Sequence, residues 1–189
     1  MTTNESKLQT RKINRLVSYD YSQNGVYYIT ICSKDKAHIF GEVKEVNQIK
    51  EIKNYSEAIQ TPLTVGAGIN RPSLIKSSIG DIIEKGIQEI PKRYEGISIE
   101  KYVIMPNHIH LLLTINNQGI CNKFGRLIPA PTVNNIICQF KSYTSKQAEQ
   151  PIWQKSFYDH IVRDEKDHKN IWDYIDTNPD KWLDDKYYN

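Results

Sequence analysis

Two groups of residues in this chain combine types and spacings that could do chemistry. The first is His108-Ile109-His110, at the head of an apolar run, Leu111 to Ile115. Successive strand residues point to opposite faces, so two histidines at i and i+2 project from the same one and can converge on a single ion. Such pairs also occur as ordinary surface or core residues. Here two costly polar groups open a segment that otherwise favours burial, which strengthens the metal reading. A metallo-β-lactamase-type site would continue as HxHxDH, but Leu112-Leu113 stand in the Asp-His places. A cupin would carry a glutamate four or five residues on, where Thr114 and Ile115 stand.

The second group is Tyr174 and Asn178, four residues apart and therefore on neighbouring faces of a helix. Asp164 is suited to cap that helix, with Asp167 three residues later. His168, Ile171, Trp172 and Ile175 read as its apolar stripe. Pro179 disfavours helical geometry at the residue before it and so puts Asn178 at the helix end, where an amide could reach an ion. The bland alternative is a packing tyrosine and a capping asparagine. The chain has twelve tyrosines, so spacing alone selects none of them as a nucleophile.

The elements that must position these groups follow from pattern. Asn24-Gly25 makes a turn before the strand-like run Val26 to Cys32. Ile75, Ile79, Ile82, Ile83 and Ile90 recur at helical spacing, with Pro91 closing the run. Ile97 to Met105 alternates as a strand, Met105-Pro106-Asn107 connects tightly, and His108 to Ile115 is apolar enough for a central strand. A helix follows from about Val133 to Ala148, then an extended stretch from Trp153 to Arg163, then the tyrosine helix to Thr177. Between Gly41 and Pro72 the pattern dissolves. Val43, Val46, Ile49 and Ile52 keep a loose three-residue period compatible with a strand or a helix fragment. This order predicts an α+β fold, a ferredoxin-like antiparallel sheet with its helices packed on one face.

The bulk numbers fit one domain: 189 residues, 39% hydrophobic, 25% charged and a net charge of +3. We read residues 1–18 as a basic arm and 19–189 as the domain. Lys7, Arg11, Lys12 and Arg15 cluster in the arm; Lys92, Arg93 and Lys101 precede the histidines. Both clusters are solvated surface or phosphate contacts. Cys32, Cys121 and Cys138 show no metal spacing, no apolar signal segment opens the chain, and no run reaches the roughly 18 residues of a membrane span. A cytoplasmic protein is expected.

Five stretches, NRLVSYDYSQNGVYYITIC, YVIMPNHIHLLL, QFKSYTSKQ, IWQKSFYDHIVRDEKD and YIDTNPDKW, resemble the REP-associated tyrosine transposases, relatives of the small HUH-type insertion-sequence transposases. The resemblance implies cleavage and rejoining of single-stranded or hairpin DNA of a repetitive palindromic element. It puts the HUH histidines on His108 and His110, the nucleophile on Tyr174 ahead of Asn178-Pro179, and a third metal ligand on Asn178. Related insertion-sequence enzymes carry Gln at that last position. Tyr143, in KSYTS, is the runner-up nucleophile; Gln147 follows it by four, so ligand spacing does not discriminate and the YIDTNP match decides. The implied cofactor is Mg²⁺ or Mn²⁺, the latter favoured by nitrogen ligands. Arg11, Lys12 and Arg15 are candidate phosphate contacts. Tyr19 and Tyr21 either stack on bases or pack. Residues 42–72 match the family poorly, and monomer or homodimer stays open. The rival classes are a nucleic-acid-binding module without chemistry and a small metal-dependent hydrolase.

Overall fold

In the computed structural model, which describes residues 19–44, 71–116, 131–185 and 187, the central element is a four-stranded sheet. Its strands are β1 (Gly25–Cys32), β4 (Ile97–Ile104), β5 (His108–Ile115) and β6 (Tyr158–Val162), in spatial order β4-β5-β1-β6 with every pair antiparallel. Helix α1 (Ser78–Arg93) joins β1 to β4 by way of a small antiparallel hairpin, β2 (Gly41–Lys44) with β3 (Ser73–Lys76), and α2 (Val133–Gln147) joins β5 to β6. This is the ferredoxin-like βαββαβ order. Helix α3 (Glu165–Thr177) and a 3₁₀ turn, Pro179–Asp184, follow it.

Strand alternation divides the sheet into two faces. Tyr27, Ile29 and Ile31 of β1 and Ile109, Leu111, Leu113 and Ile115 of β5 share a buried cluster with Ile83, Ile87 and Ile90 of α1 and Ile136, Ile137 and Phe140 of α2. Ser77 and Thr132 cap these helices, accepting from Gly80 N and Asn135 N. The helices meet at Gly86, where an added Cβ would sit 2.7 Å from Thr144 Cγ2, so a side chain there would push them apart.

The opposite face carries Val26 and Tyr28 of β1 and Leu112 of β5, packed with Ile171 and Ile175 of α3. The α+β class and the antiparallel sheet match expectation, but the helices divide between two faces. α1 and α2 fill one. Leu112 demands cover on the other, and α3 supplies it.

Three local expectations need correction, and the stretch after Gly41 opens as a strand, one of its two expected forms. Ile75 belongs to β3, and α1 begins only at Ser78. Pro91 lies inside the last turn of α1, which Ile87 and Ile90 hold against the core through Arg93. Val43 is in β2, while Val46, Ile49 and Ile52 lie outside the described residues. On α3, Trp172 is exposed, with the Lys101 ammonium 4.4 Å above its ring, and His168 meets Glu100. The buried stripe is therefore Ile171 and Ile175 alone.

Candidate functional site

His108 and His110 open β5 on the α3 face, and both imidazoles are fully buried. Their surroundings are polar. Asn107 Nδ2 donates to the carbonyls of Lys36 (3.2 Å) and Tyr187 (2.5 Å), which turns Asn107 Oδ1 toward His108 Nδ1 at 2.8 Å. That oxygen accepts, so His108 carries its proton on Nδ1 and presents a lone pair at Nε2. His110 Nδ1 lies 2.8 Å from both the Tyr28 hydroxyl and Thr30 Oγ1, either of which can take its proton and leave Nε2 basic. The two Nε2 atoms are 3.0 Å apart. Nitrogens at that separation, each about 2.1 Å from a shared ion, subtend about 90° at it, the angle of adjacent octahedral positions.

Oxygen donors complete the group. A carboxylate oxygen of Asp185, just past the 3₁₀ turn, lies within 4.8 Å of a ring nitrogen of each histidine, forming a cluster that could hold a metal ion. Asn178 is 2% exposed; its Nδ2 donates to Asp185 Oδ2 at 3.3 Å, while its Oδ1 is buried with no hydrogen-bond partner among the described residues. An unmet buried acceptor costs about 1–3 kcal/mol, and a cation would satisfy it. Two imidazoles and a carboxylate suit a divalent cation. The residues present fit such an ion.

The Tyr174 ring stands 5.2 Å from that of His110 and 6.2 Å from that of Tyr28. Burial raises the Tyr174 pKa above 10.0, and the charge of Asp185 adds to the rise; Asn178 and Tyr28 sit beside the same hydroxyl and oppose it. Burial also holds Tyr28 firmly protonated. The C-terminal turn roofs the site: Trp182 is buried, 6.0 Å from the His108 ring. Tyr187 lies 4.6 Å from the same ring, its phenol pushed up to about 12 chiefly by burial.

The sequence profile of the IS200-like transposases matches residues 64–178, more than half of the chain. The chain belongs to the IS200-like transposase family. It is 30% identical over its full length to an uncharacterised Haemophilus influenzae protein, of which it covers 99%. It is also 25% identical over 114 residues to the REP-associated tyrosine transposase of Escherichia coli, a match spanning 59% of this chain and 61% of that one. The solved structure of a REP-associated tyrosine transposase bound to a REP hairpin superposes with a TM-score of 0.52, covering 88% of this chain and 73% of the other at 15% identity. That likeness concerns the fold.

Within this transposase fold the expected residues fall in different places. His108, His110, Tyr174 and Asn178 come together on the α3 face. Tyr143 does not: it lies on α2, beyond the other face of the sheet, with the Arg93 guanidinium 4.3 Å over its ring. Tyr19 and Tyr21 pack with Tyr27, at ring distances of 6.4 and 6.2 Å, and Tyr19 shares a hydrogen bond with the Tyr27 hydroxyl. Tyr27 points into the α1–α2 core, so these two rings serve packing away from the histidines. Arg11, Lys12 and Arg15, with the whole arm, lie outside the described residues. His160 faces the α3 side and binds Asp167 Oδ2 at 2.8 Å. No helix among the described residues is long and apolar enough to cross a membrane.

Sequence reasoning missed Tyr28, Thr30, Asn107 and Asp185. The first two share the face of His110 only because Thr30 pairs with His110 and Tyr28 with Leu112, a register no local pattern reveals. Asn107 stood beside the histidines as part of the connection. Asp185 lies beyond a proline, in a segment without periodicity.

Proposed function

We propose that this chain nicks and rejoins single-stranded or hairpin DNA of a repetitive palindromic element, with Tyr174 as a covalent nucleophile. The observation that carries this reading is the approach of the Tyr174 ring to within 5.2 Å of His110, itself one half of a 3.0 Å pair of imidazole nitrogens. A nucleophile and a cation site thus share one pocket. His108, His110 and Asn178 would hold Mg²⁺ or Mn²⁺, and Asp185 adds a charged oxygen to that set.

A bound divalent ion supplies Lewis-acid polarisation of a phosphoryl oxygen. The Tyr174 oxygen forms a bond to phosphorus as the bond from phosphorus to O3′ breaks; the phenol loses its proton and O3′ gains one. The products are a 5′-phosphotyrosine and a free 3′-OH, and the same exchange run backwards joins a new end. A phenol of pKa about 10 is only about 0.1% ionised at neutral pH, and burial lowers that fraction here, so approach of substrate must favour the phenolate. Residues 1–18 serve as a basic arm on the DNA backbone in this reading, and 19–189 as the catalytic domain.

The test is incubation with labelled single-stranded and hairpin DNA plus Mn²⁺, followed by a denaturing gel. A protein–DNA adduct with a matching nick is expected. Cleavage without an adduct would indicate a hydrolase using metal-bound water, and binding with neither would indicate a module without chemistry.

A further inference from the structure

Sheet register lines up side chains in rungs that run from an open edge to the histidine pair. On the α3 face, Tyr158 of β6 pairs with Thr30 of β1, and Thr30 pairs with His110 of β5. The neighbouring rung runs from His160 through Tyr28 to Leu112. β6 is an edge strand, so Tyr158 stands at the border of the sheet, two strands from His110. Strands lie about 4.8 Å apart, which puts the backbones of these residues roughly 10 Å from each other.

Tyr158 is 44% exposed, one of three large apolar side chains exposed among the described residues. The other two differ in setting. Trp172 already has the Lys101 ammonium over its ring and stacks on His168, and Leu183 offers no ring. Tyr158 meets Tyr28 at 6.4 Å and 71°. Tyr28 in turn stacks on His110 at 5.4 Å and 26° and meets Tyr174 edge-on. An aromatic path therefore leads from water at the sheet edge to the nucleophile. Exposed Lys155 and Arg163 flank β6 in the chain.

We infer that Tyr158 is a base-stacking residue, seating on its ring an unpaired nucleotide next to the phosphate that Tyr174 attacks. This rests on the DNA-cleavage reading above. The occupant is a single strand, because only an unpaired, unstacked base offers its face to an aromatic side chain. Stacking of this kind tolerates any base, so Tyr158 would anchor the strand and leave sequence choice to other contacts.

The experiment uses the full chain carrying Tyr174→Phe, so that binding is read without chemistry, with Mn²⁺ and a DNA hairpin bearing a single-stranded tail. 2-Aminopurine is moved stepwise along the tail, and stacking is read as quenching of its fluorescence. One tail position should be quenched on binding. Tyr158→Ala should abolish that quenching and weaken the tailed probe about tenfold. Tyr158→Phe and Tyr158→Trp should keep both properties, and a blunt hairpin should bind all variants within about twofold. Tyr158→Ala with quenching intact and affinity within twofold would overturn the inference, even if the wild-type chain forms its adduct. Failure of the wild-type chain to form an adduct, or of the Tyr174→Phe chain to bind either probe, would instead sink the cleavage reading and this inference with it.

Discussion

Asn178 and Asp185 lean on each other across the end of α3, the amide Nδ2 donating to Asp185 Oδ2 at 3.3 Å while the amide oxygen is buried and unmet among the described residues. Pro179 does not turn Asn178 out of helical geometry: its φ and ψ are −60° and −42°, and the chain passes directly into the 3₁₀ turn that brings Asp185 back. The Asp185 carboxylate thus lies by the histidine nitrogens while hydrogen-bonded to an amide seven residues earlier in sequence. Asp185→Asn removes the charge and keeps the shape. We expect it to lower Mn²⁺ affinity at least tenfold by calorimetry; unchanged affinity would remove Asp185 from the donor set.

Tyr174→Phe deletes one oxygen and keeps the ring against His110 and Tyr28. The variant should bind DNA and Mn²⁺ but give neither adduct nor nick. Tyr143→Phe, on the far side of the sheet beneath Arg93, should keep most activity. An adduct that survives the first change and is lost in the second would reassign the nucleophile.

Thr30→Val replaces a hydroxyl that lies 2.8 Å from His110 Nδ1 with a methyl of similar volume. Partners that orient a ligating histidine typically contribute 10–100-fold in metal affinity. Tyr28 still offers its hydroxyl to the same nitrogen. The loss in Mn²⁺ affinity should therefore fall near the lower end, about tenfold, and should grow in the double variant with Tyr28→Phe.

Leu112→Ala tests the docking of α3. Leu112 is fully buried and joins Ile171 and Ile175 to the sheet. A truncation of this kind costs about 2–5 kcal/mol. Urea unfolding should show a lower midpoint with little change in slope, and DNA cleavage should fall because the helix carrying Tyr174 loses its anchor. Cleavage at the wild-type rate would detach the helix from the chemistry.

Asp176 ties α3 to the sheet edge through Lys101 and to Arg71 at 2.9 Å. The hydrogen bond from Lys101, with Arg71 second, holds its pKa below the usual 3.8. A carboxyl depressed on folding contributes stability above its unfolded pKa and loses it as pH falls through the folded value. Asp176→Asn should therefore cost less than about 1 kcal/mol at neutral pH, since water screens this ion pair. The gap in urea midpoints should close as pH is lowered past 3.8. A gap that persists in acid would assign the effect to packing.

Short-range pattern alone determined much of this protein. Alternation put His108 and His110 on one side of a strand, helical spacing placed Tyr174 a turn before Asn178, and Asp164 marked where their helix begins, accepting from Asp167 N. These features repeat within a few residues, so local sterics and burial enforce them. The tertiary structure decided everything that depends on pairing between distant segments. It put α3 on the face opposite α1 and α2, set Tyr28 and Thr30 beside His110 across 82 and 80 residues of sequence through sheet register, and packed Tyr19 and Tyr21 around Tyr27. It also returned Asp185 to the histidines after a proline, where no period exists to read. Register and chain return are settled by which surfaces bury each other best, a sum over the whole chain that no short window of sequence contains.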